Sequence, residues 1–556
     1  MLSRVLRYCR SRASRCVPFD LASALLLTAL LVVALLLVRD YAISNDEEVQ
    51  HQYGEMILAY YGSGFTDTRL FEFRNLYLYG GLFDVIAILI GRVIPADIYL
   101  IRHVLCALIG VGGIAAAWAT ARMIAGTRAG MFAAIALAIC GPWFGSMFNH
   151  TKDIPFAAAV MGAIYCLLRI ARTLPRPRLF DVLCYGLLLG AALGLRAAGL
   201  LTISFVLAAI AIGMPSGETA RVRFALRSFV AFLPAFAIAY LIMIVAWPWS
   251  ALDLFNPIRG LLTFNHFHYE IRTMLSGESY DMADVPRWYV PIYLGIKLPL
   301  TLLCGALLGL LLALIRIGAH DGSVSRTQRE TLFVAFAALF PVFCQVVLHG
   351  PAFTGLRHFL FVVPPLAVLA GIGYDWTLNF LALRRREFAT VAFGALVVWV
   401  AWNVTTLVRL HPYEYMFYNP IVGGLEGAQR RYEGDYWVNI MHEAVGDLQT
   451  YVAGLGKDPS KTYTVAVCGE RLPFEQEAHW PLKYTDDWDT ADFFLAPTQM
   501  NCDRAMFGRT VVAIERLGTV IGVVKDMRGI SVEARWPPVS IARKPGATGN
   551  LNKKKL

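Results

Sequence analysis

Eleven runs of apolar residues free of Asp, Glu, Lys and Arg divide the first 408 residues, and they constrain the fold more than any other feature. The first, residues 21–38, is 18 residues long, close to the roughly 20 that a helix needs to cross about 30 Å of hydrocarbon. The others are 103–121, 129–148, 154–168, 182–195, 197–214, 229–247, 298–315, 332–348, 359–374 and 388–408. Arginines crowd every second loop: Arg122 and Arg128; Arg169, Arg172, Arg176 and Arg178; Arg221, Arg223 and Arg227; Arg316, Arg326 and Arg329; Arg384, Arg385 and Arg386. Because arginine gathers on the cytoplasmic side, this alternation predicts an α-helical polytopic membrane protein of about eleven spans. The basic N-terminus lies inside, and the first run is read as a retained helix because it lacks a small-x-small cleavage pattern. A twelfth apolar stretch, 80–91, is short, carries Asp84 and is closed by Pro95. It is read as interfacial or re-entrant, since counting it as a span would move the arginines to the wrong face.

Composition excludes the soluble classes. The chain of 556 residues is 57% hydrophobic and 16% charged, with a mean hydropathy of +0.54, far too apolar for a water-soluble protein of this size. The net charge of +10 reports loop arginines, not a nucleic-acid surface. The expected organisation is a basic cytoplasmic segment over 1–20, a transmembrane domain over 21–408 and an extracytoplasmic α/β domain over 409–543. A disordered basic tail follows over 544–556. The transmembrane domain carries a first external loop at 40–100 and a long external loop at 248–290. Within the C-terminal domain, the spacing of Ile440, Ala444, Val445, Leu448 and Val452 predicts a helix over 439–455. Short strands are predicted over 462–467, 493–496, 511–514 and 519–524. The ten cysteines include no CxxC pair, and most lie in apolar runs as small hydrophobes. Cys468 and Cys502 are the two in the C-terminal domain; an oxidising compartment would allow a disulfide between them, a pairing the sequence leaves open.

Two polar clusters stand at the outer ends of runs. Asn45-Asp46-Glu47-Glu48 follows the first, and Asn149-His150-Thr151-Lys152-Asp153 follows the third. Alone, the carboxylates could be a solvated end to a helix; two clusters on one face make a site. Arg196 sits at another outer turn, where by itself it reads as a snorkelling helix-end arginine, and Arg357-His358 precede the run 359–374. Together these residues describe an outer cavity with acidic and basic halves. Arginine and lysine suit a phosphate, and a carboxylate suits removal of a proton from an attacking hydroxyl. That pairing fits transfer of a monosaccharide from a lipid-linked sugar phosphate. A transporter or flippase of a lipid-linked saccharide is the alternative; it would place its charges near the bilayer midplane within internal repeats, and no repeat is visible.

The same residues resemble a family. Asp46-Glu47, with His51 and Tyr53-Gly54 after them, is similar to the first-loop motif of the GT-C membrane glycosyltransferases. The likeness is to glycosyltransferase family 39, the protein O-mannosyltransferase and aminoarabinose-transferase branch. His150-Thr151-Lys152-Asp153-Ile154-Pro155-Phe156 resembles a second-loop motif of uncharacterised bacterial members. Arg357-His358 before Pro364-Pro365 resembles a late helix-mouth pattern, and residues 411–437 resemble a block after the last helix. The resemblance covers about residues 20–440. It implies a polyprenyl-phosphate sugar donor, a membrane-lipid setting in the bacterial inner membrane, a periplasmic C-terminal domain and inversion at the anomeric carbon. It implies that Asp46 activates the acceptor hydroxyl, that Glu47 supports it, and that Asp153 positions donor or acceptor. Lys152, Arg196, Arg357 and His358 would contact the donor phosphate, and His51, Tyr53 and His150 the substrates. Lys152 precedes the second acidic residue where some members carry DxD, so no metal or other cofactor is firmly implied. The C-terminal domain does not resemble the fungal insert, so the acceptor stays open among lipid, glycan and protein.

Other features read plainly. The sequons at Asn149 and Asn403 abut or lie within membrane helices and are taken as incidental. Tyr413, Tyr415, Phe417, Tyr418 and Trp437 read as an interfacial aromatic belt in preference to a sugar-stacking surface, and Trp247-Pro248-Trp249 likewise. His266 and His268 read as surface residues, and Gly423, Gly424 and Gly427 lack the strand-to-helix setting of a nucleotide loop.

Overall fold

The computed structural model describes residues 18–214, 218–263, 271–317, 325–456 and 461–537. The N-terminal arginines, the side chain of Arg316, His266, His268 and the basic tail lie outside the described residues. Before the C-terminal domain the helices are α1 Pro18–Leu37, α2 Glu47–Gly62, α3 Leu82–Gly91, α4 Ile98–Ala125, α5 Thr127–Ala138, α6 Gly141–Asn149, α7 Asp153–Ala171 and α8 Leu179–Leu193. They continue as α9 Thr202–Ile212, α10 Glu218–Ala246, α11 Asn256–Thr263, α12 Tyr289–Lys297, α13 Leu300–Ile317, α14 Arg326–Leu348, α15 Val363–Arg384 and α16 Arg386–Leu410. A 3-10 turn, Arg357–Val362, leads into α15, and a hairpin of β1 Arg272–Leu275 and β2 Glu278–Asp281 stands between α11 and α12.

Among the described residues, seven helical segments are long and apolar enough to cross a membrane: those of α1, α4, α7, α10, α14, α15 and α16. Two bent pairs raise the number to nine, α5 with α6 at 66° and α12 with α13 at 114°. The remaining two expected spans fall on α8, of 15 residues, and the apolar segment Ala197–Ile212. At 1.5 Å per residue α8 is about 22 Å long, so it reaches across only part of the hydrocarbon. The stretch read as interfacial becomes α3, a helix of 10 residues. Pro142 at the start of α6 has no amide proton to continue α5, and Cys140 before it is extended; the break falls there.

α7 and α15 are the most buried of the crossing helices, whereas α1, α10 and α16 present apolar surface outward. α15 packs most closely on α13. Its Gly373 faces Gly305 and Gly309, where an added Cβ would run into the backbone of the opposite helix. Small residues at such crossings let two backbones approach where burial from water supplies no drive.

The chain after α16 forms the expected α/β domain. α17 Met441–Ala453 buries Met441, Ala444, Val445, Leu448 and Val452. β3 Tyr463–Val467, β4 Leu482–Tyr484, β5 Phe493–Pro497, β6 Arg509–Arg516 and β7 Thr519–Asp526 make one sheet in the order β4-β3-β5-β7-β6. β3 is parallel to β4 and β5, and β7 is antiparallel to β5 and β6. Cys468 and Cys502 are joined as a disulfide. The expected aromatic belt is corrected here: Tyr413, Tyr415, Phe417, Tyr418 and Trp437 are all buried, as is Trp247. They sit within a core that continues from the membrane helices into the sheet domain; the five after α16 pack beneath that domain, and Trp247 is held by the Tyr77 carbonyl and Trp249, so none is a lipid-interface anchor.

Candidate active site

Local backbone sets the site. After α1 the chain turns at Ser44, whose amide donates to Glu47 Oε2 at 2.8 Å and whose hydroxyl donates to the same oxygen at 3.2 Å. α2 starts at Glu47, which leaves Asp46 on the turn before it. Because successive helical residues are about 100° apart, Asp46 and Glu47 face different ways. Glu47 is fully buried against α4, 3.0 Å from His103 Nε2 and 3.5 Å from Arg102 Nε. Burial works against its charge, but His103, Arg102 and the Ser44 amide hold its carboxyl below the usual range. Asp46 is 39% exposed and turns into a cavity of about 180 Å³.

Four charged groups form a chain along that cavity. Arg357 Nη2 donates to Asp46 Oδ2, and its Nε donates to Asp153 Oδ2 at 3.1 Å. Arg196 Nη2 donates to the other oxygen of Asp153. Asp153 is 1% exposed and stands at the start of α7, where the helix dipole favours an anion. Arg196 leaves α8 in an extended conformation just before the Ala197–Leu201 turn. Arg357 opens the turn into α15. Lys152, Tyr79, Arg74, Ile271, Phe353 and His358 complete much of the wall.

Two donors in this wall are buried without a hydrogen-bond acceptor: Lys152 Nζ and Arg196 Nε. Lys152 is 3% exposed, with Asp84 Oδ2 4.0 Å away and the Tyr79 ring 5.0 Å away. Burial lowers its pKa, partly offset by Asp84. A buried donor with no partner is costly, and an oxyanion in the cavity would satisfy these.

The expected site residues divide. Asp46, Asp153, Lys152, Arg196, Arg357 and His358 are brought together. Glu47, His51, Tyr53 and His150 stand outside the cavity wall. The His51 ring meets Tyr99 edge-on, 6.1 Å between centroids. Tyr53 is fully buried, and its hydroxyl donates to the Tyr79 carbonyl at 3.3 Å. His150 Nε2 lies 2.8 Å from the Tyr436 hydroxyl, and burial drives its ring down to about 3, so it is neutral. Behind the cavity, fully buried Arg102 bonds Asp84 Oδ1 at 2.9 Å and Thr151 at 3.1 Å, a network no motif announced. Trp437 was also missed as a site neighbour: its ring centroid lies 4.1 Å from Arg357 Cζ. Among the described residues no group of three or more His, Cys, Asp or Glu is gathered to hold a metal ion, and both cavity carboxylates are engaged by guanidinium groups.

A helical membrane body with a charged cavity under an α/β domain is the class that fold and geometry define. Residues 95–249 match the family model described as dolichyl-phosphate-mannose-protein mannosyltransferase, a GT-C glycosyltransferase family. That stretch holds the motif at 150–156 and Arg196, while the motifs at 46–54, 357–365 and 411–437 lie outside it. A comparison with curated protein sequences finds no match. Among solved structures the chain is similar to ArnT from Cupriavidus metallidurans bound to undecaprenyl phosphate, at 13% identity and a TM-score of 0.46, over 93% of this chain and 99% of that one. It is also similar to the oligosaccharyltransferase AglB from Archaeoglobus fulgidus with an inhibitory peptide and a dolichol-phosphate, at 13% identity, TM-score 0.44, over 85% and 69%. The arabinofuranosyltransferase AftD from Mycobacteria follows at 14% identity, TM-score 0.41, over 90% and 39%.

Proposed function

We propose that the chain moves a hexosyl or pentosyl unit from a polyprenyl-phosphate donor to a hydroxyl-bearing acceptor, at the periplasmic face of a bacterial inner membrane. The N-terminus then lies in the cytoplasm and the C-terminal domain in the periplasm. The observation that carries this reading is the cavity itself: a water-accessible carboxylate on one side and buried donors lacking acceptors on the other.

The donor phosphate lies against Lys152, Arg196 and Arg357, with His358 beside them. Asp46 faces the acceptor hydroxyl. As the phosphate draws Arg357 toward itself, Asp46 loses its partner and becomes free to take the hydroxyl proton. The acceptor oxygen then bonds to the anomeric carbon, and the bond from that carbon to the phosphate oxygen breaks. The electron pair leaves with polyprenyl phosphate, whose added charge the same cations stabilise. Phosphate is a stable leaving group, so proton removal and charge stabilisation are the main demands on the protein. Asp153, held between the two arginines, keeps both aimed into the cavity. Glu47 fixes the turn that presents Asp46, and His150 anchors the wall. Removing a positioned general base costs roughly 10²- to 10⁴-fold in rate.

The test is donor consumption by the purified protein in lipid, with an envelope extract as acceptor. Release of polyprenyl phosphate by wild type and its near-absence in Asp46→Asn support the transferase. Equal movement of labelled lipid-linked sugar across the bilayer by both proteins, with no donor consumed, replaces it with a flippase.

A further inference from the structure

Arg357 is held from three directions, and one of them belongs to the C-terminal domain. Its Nη2 and Nε are bound in plane by Asp46 and Asp153. Its face lies over Trp437, which is 4% exposed. A guanidinium stacked on an indole keeps its N–H groups directed outward in one plane, so the stacking partner selects which acceptors the group can reach.

Trp437 is itself firmly placed. Asp435 accepts from the Asn439 amide at 2.8 Å, from the Ile440 amide at 2.9 Å and from the Tyr415 hydroxyl. Asn439 Oδ1 accepts from the Ala42 amide at 2.9 Å and from Asn149 at 3.2 Å, which ties the segment to both chain stretches that carry the site. Tyr436 bonds His150. On the far side, Gln499 binds Glu433 and the Gly434 amide, and Arg430 pairs with Asp503 at 2.7 Å. Those last partners flank Cys502, which is joined to Cys468. Residues 430–439 are thus an arm fixed at its base in the sheet domain and at its tip in the membrane domain.

We infer that Trp437 is the positioning residue for Arg357: its indole face sets the plane in which Arg357 meets the donor phosphate, so the C-terminal domain supplies one wall of the phosphate site. This rests on the proposed transferase reading. Trp437 touches Arg357 and not the reacting atoms, so its effect falls on phosphate affinity and on KM more than on a proton-transfer step.

The experiment measures binding of a polyprenyl phosphate, and of the matching polyprenol without phosphate, to the full chain in nanodiscs. Wild type is compared with Trp437→Leu, Trp437→Met, Trp437→Phe and Arg357→Ala, with melting temperature and elution volume as folding controls. Trp437→Leu and Trp437→Met should weaken phosphate binding roughly 5- to 30-fold, the span from an exposed to a desolvated cation–π contact. Trp437→Phe, which keeps an aromatic face, should recover most of it, and polyprenol binding should not change. Either aliphatic variant serves if the other fails to fold. Phosphate binding that is unchanged in a folded aliphatic variant, while Arg357→Ala loses it, overturns the role of Trp437 and leaves the transferase reading standing. A phenylalanine variant no better than leucine or methionine also overturns it. Loss of polyprenol binding in parallel would make the effect one of general packing and overturn it too. A wild type that binds no phosphate, or an Arg357→Ala that keeps full binding, removes the transferase reading and this inference with it.

Discussion

Asp153→Ala takes away the carboxylate that lies between Arg196 and Arg357. The three side chains are 1%, 8% and 11% exposed, so solvent cannot screen what remains. Deleting one partner of a buried ion pair costs about 3–5 kcal/mol, because a charge is left without its counterion. Arg357 keeps its bond to Asp46, whereas Arg196 loses the carboxylate it pairs with, so the cost falls within that range. With about 2.1 cal/mol/K of unfolding entropy per residue, a chain of 556 residues should lose roughly 3–4 °C in melting temperature. Intrinsic-fluorescence melting in detergent, with and without inorganic phosphate, reads this directly. Phosphate should recover much of the loss in the variant and shift wild type far less, since an oxyanion replaces the missing carboxylate. Asp153→Asn, which keeps the shape and one acceptor, should fall between. An alanine variant melting within about 1 °C of wild type, or one that phosphate does not stabilise preferentially, would refute the idea that these arginines await an anion.

Three further outcomes follow from other contacts. Lys152→Met should raise KM for the donor roughly 10- to 100-fold, the worth of a hydrogen bond to a charged group, with a smaller change in kcat. Since burial lowers the Lys152 pKa, donor affinity should be full below that pKa and fall as pH rises through it; Lys152→Arg should move the fall to higher pH in KM-against-pH profiles. Replacing Cys468 and Cys502 by serine opens a cross-link between positions 34 apart, a change of about 4 kcal/mol in the chain-entropy model; unchanged unfolding in denaturant would contradict it. His411 bridges Asp40 at 2.9 Å and Glu414 at 2.8 Å. Burial pushes its pKa down, but the two carboxylates outweigh that and raise it. The stabilisation is therefore complete below about 6.5, the unfolded value, and is lost as pH rises through the higher folded pKa. His411→Gln should flatten that dependence in melts across neutral pH.

The helical body was legible because long runs without charge, alternating with loops rich in arginine, are what a bilayer demands and a water-soluble core does not. The α/β domain was legible where periodicity was clear, as in α17. The three-residue strand β4 carried too short a pattern to read, and so did the hairpin of β1 and β2. Asp46, Lys152, Asp153, Arg196 and Arg357 could be grouped because helix counting alone puts their loops on one face. Adjacent residues were harder to separate. Glu47 looks like Asp46 in sequence, yet one helical step turns it into α4 and the ring of His103. The aromatic cluster after α16 misled because a membrane belt and a packed domain contact have the same composition. Trp437 stood out in the sequence only as a member of that cluster: its place beside Arg357 is a contact that only the folded chain creates.

In the proposed reaction, Asp46 and the cations opposite it split a sugar from a lipid phosphate. The most direct measurement incubates wild type and Asp46→Asn in lipid with a panel of polyprenyl-phosphate monosaccharides and an envelope extract, and follows release of polyprenyl phosphate. Wild type should consume a donor, and the variant should do so roughly 10²- to 10⁴-fold more slowly. Equal consumption by both proteins would remove Asp46 from the chemistry, and no consumption with undiminished passage of the labelled lipid across the bilayer would make the protein a flippase and not a transferase.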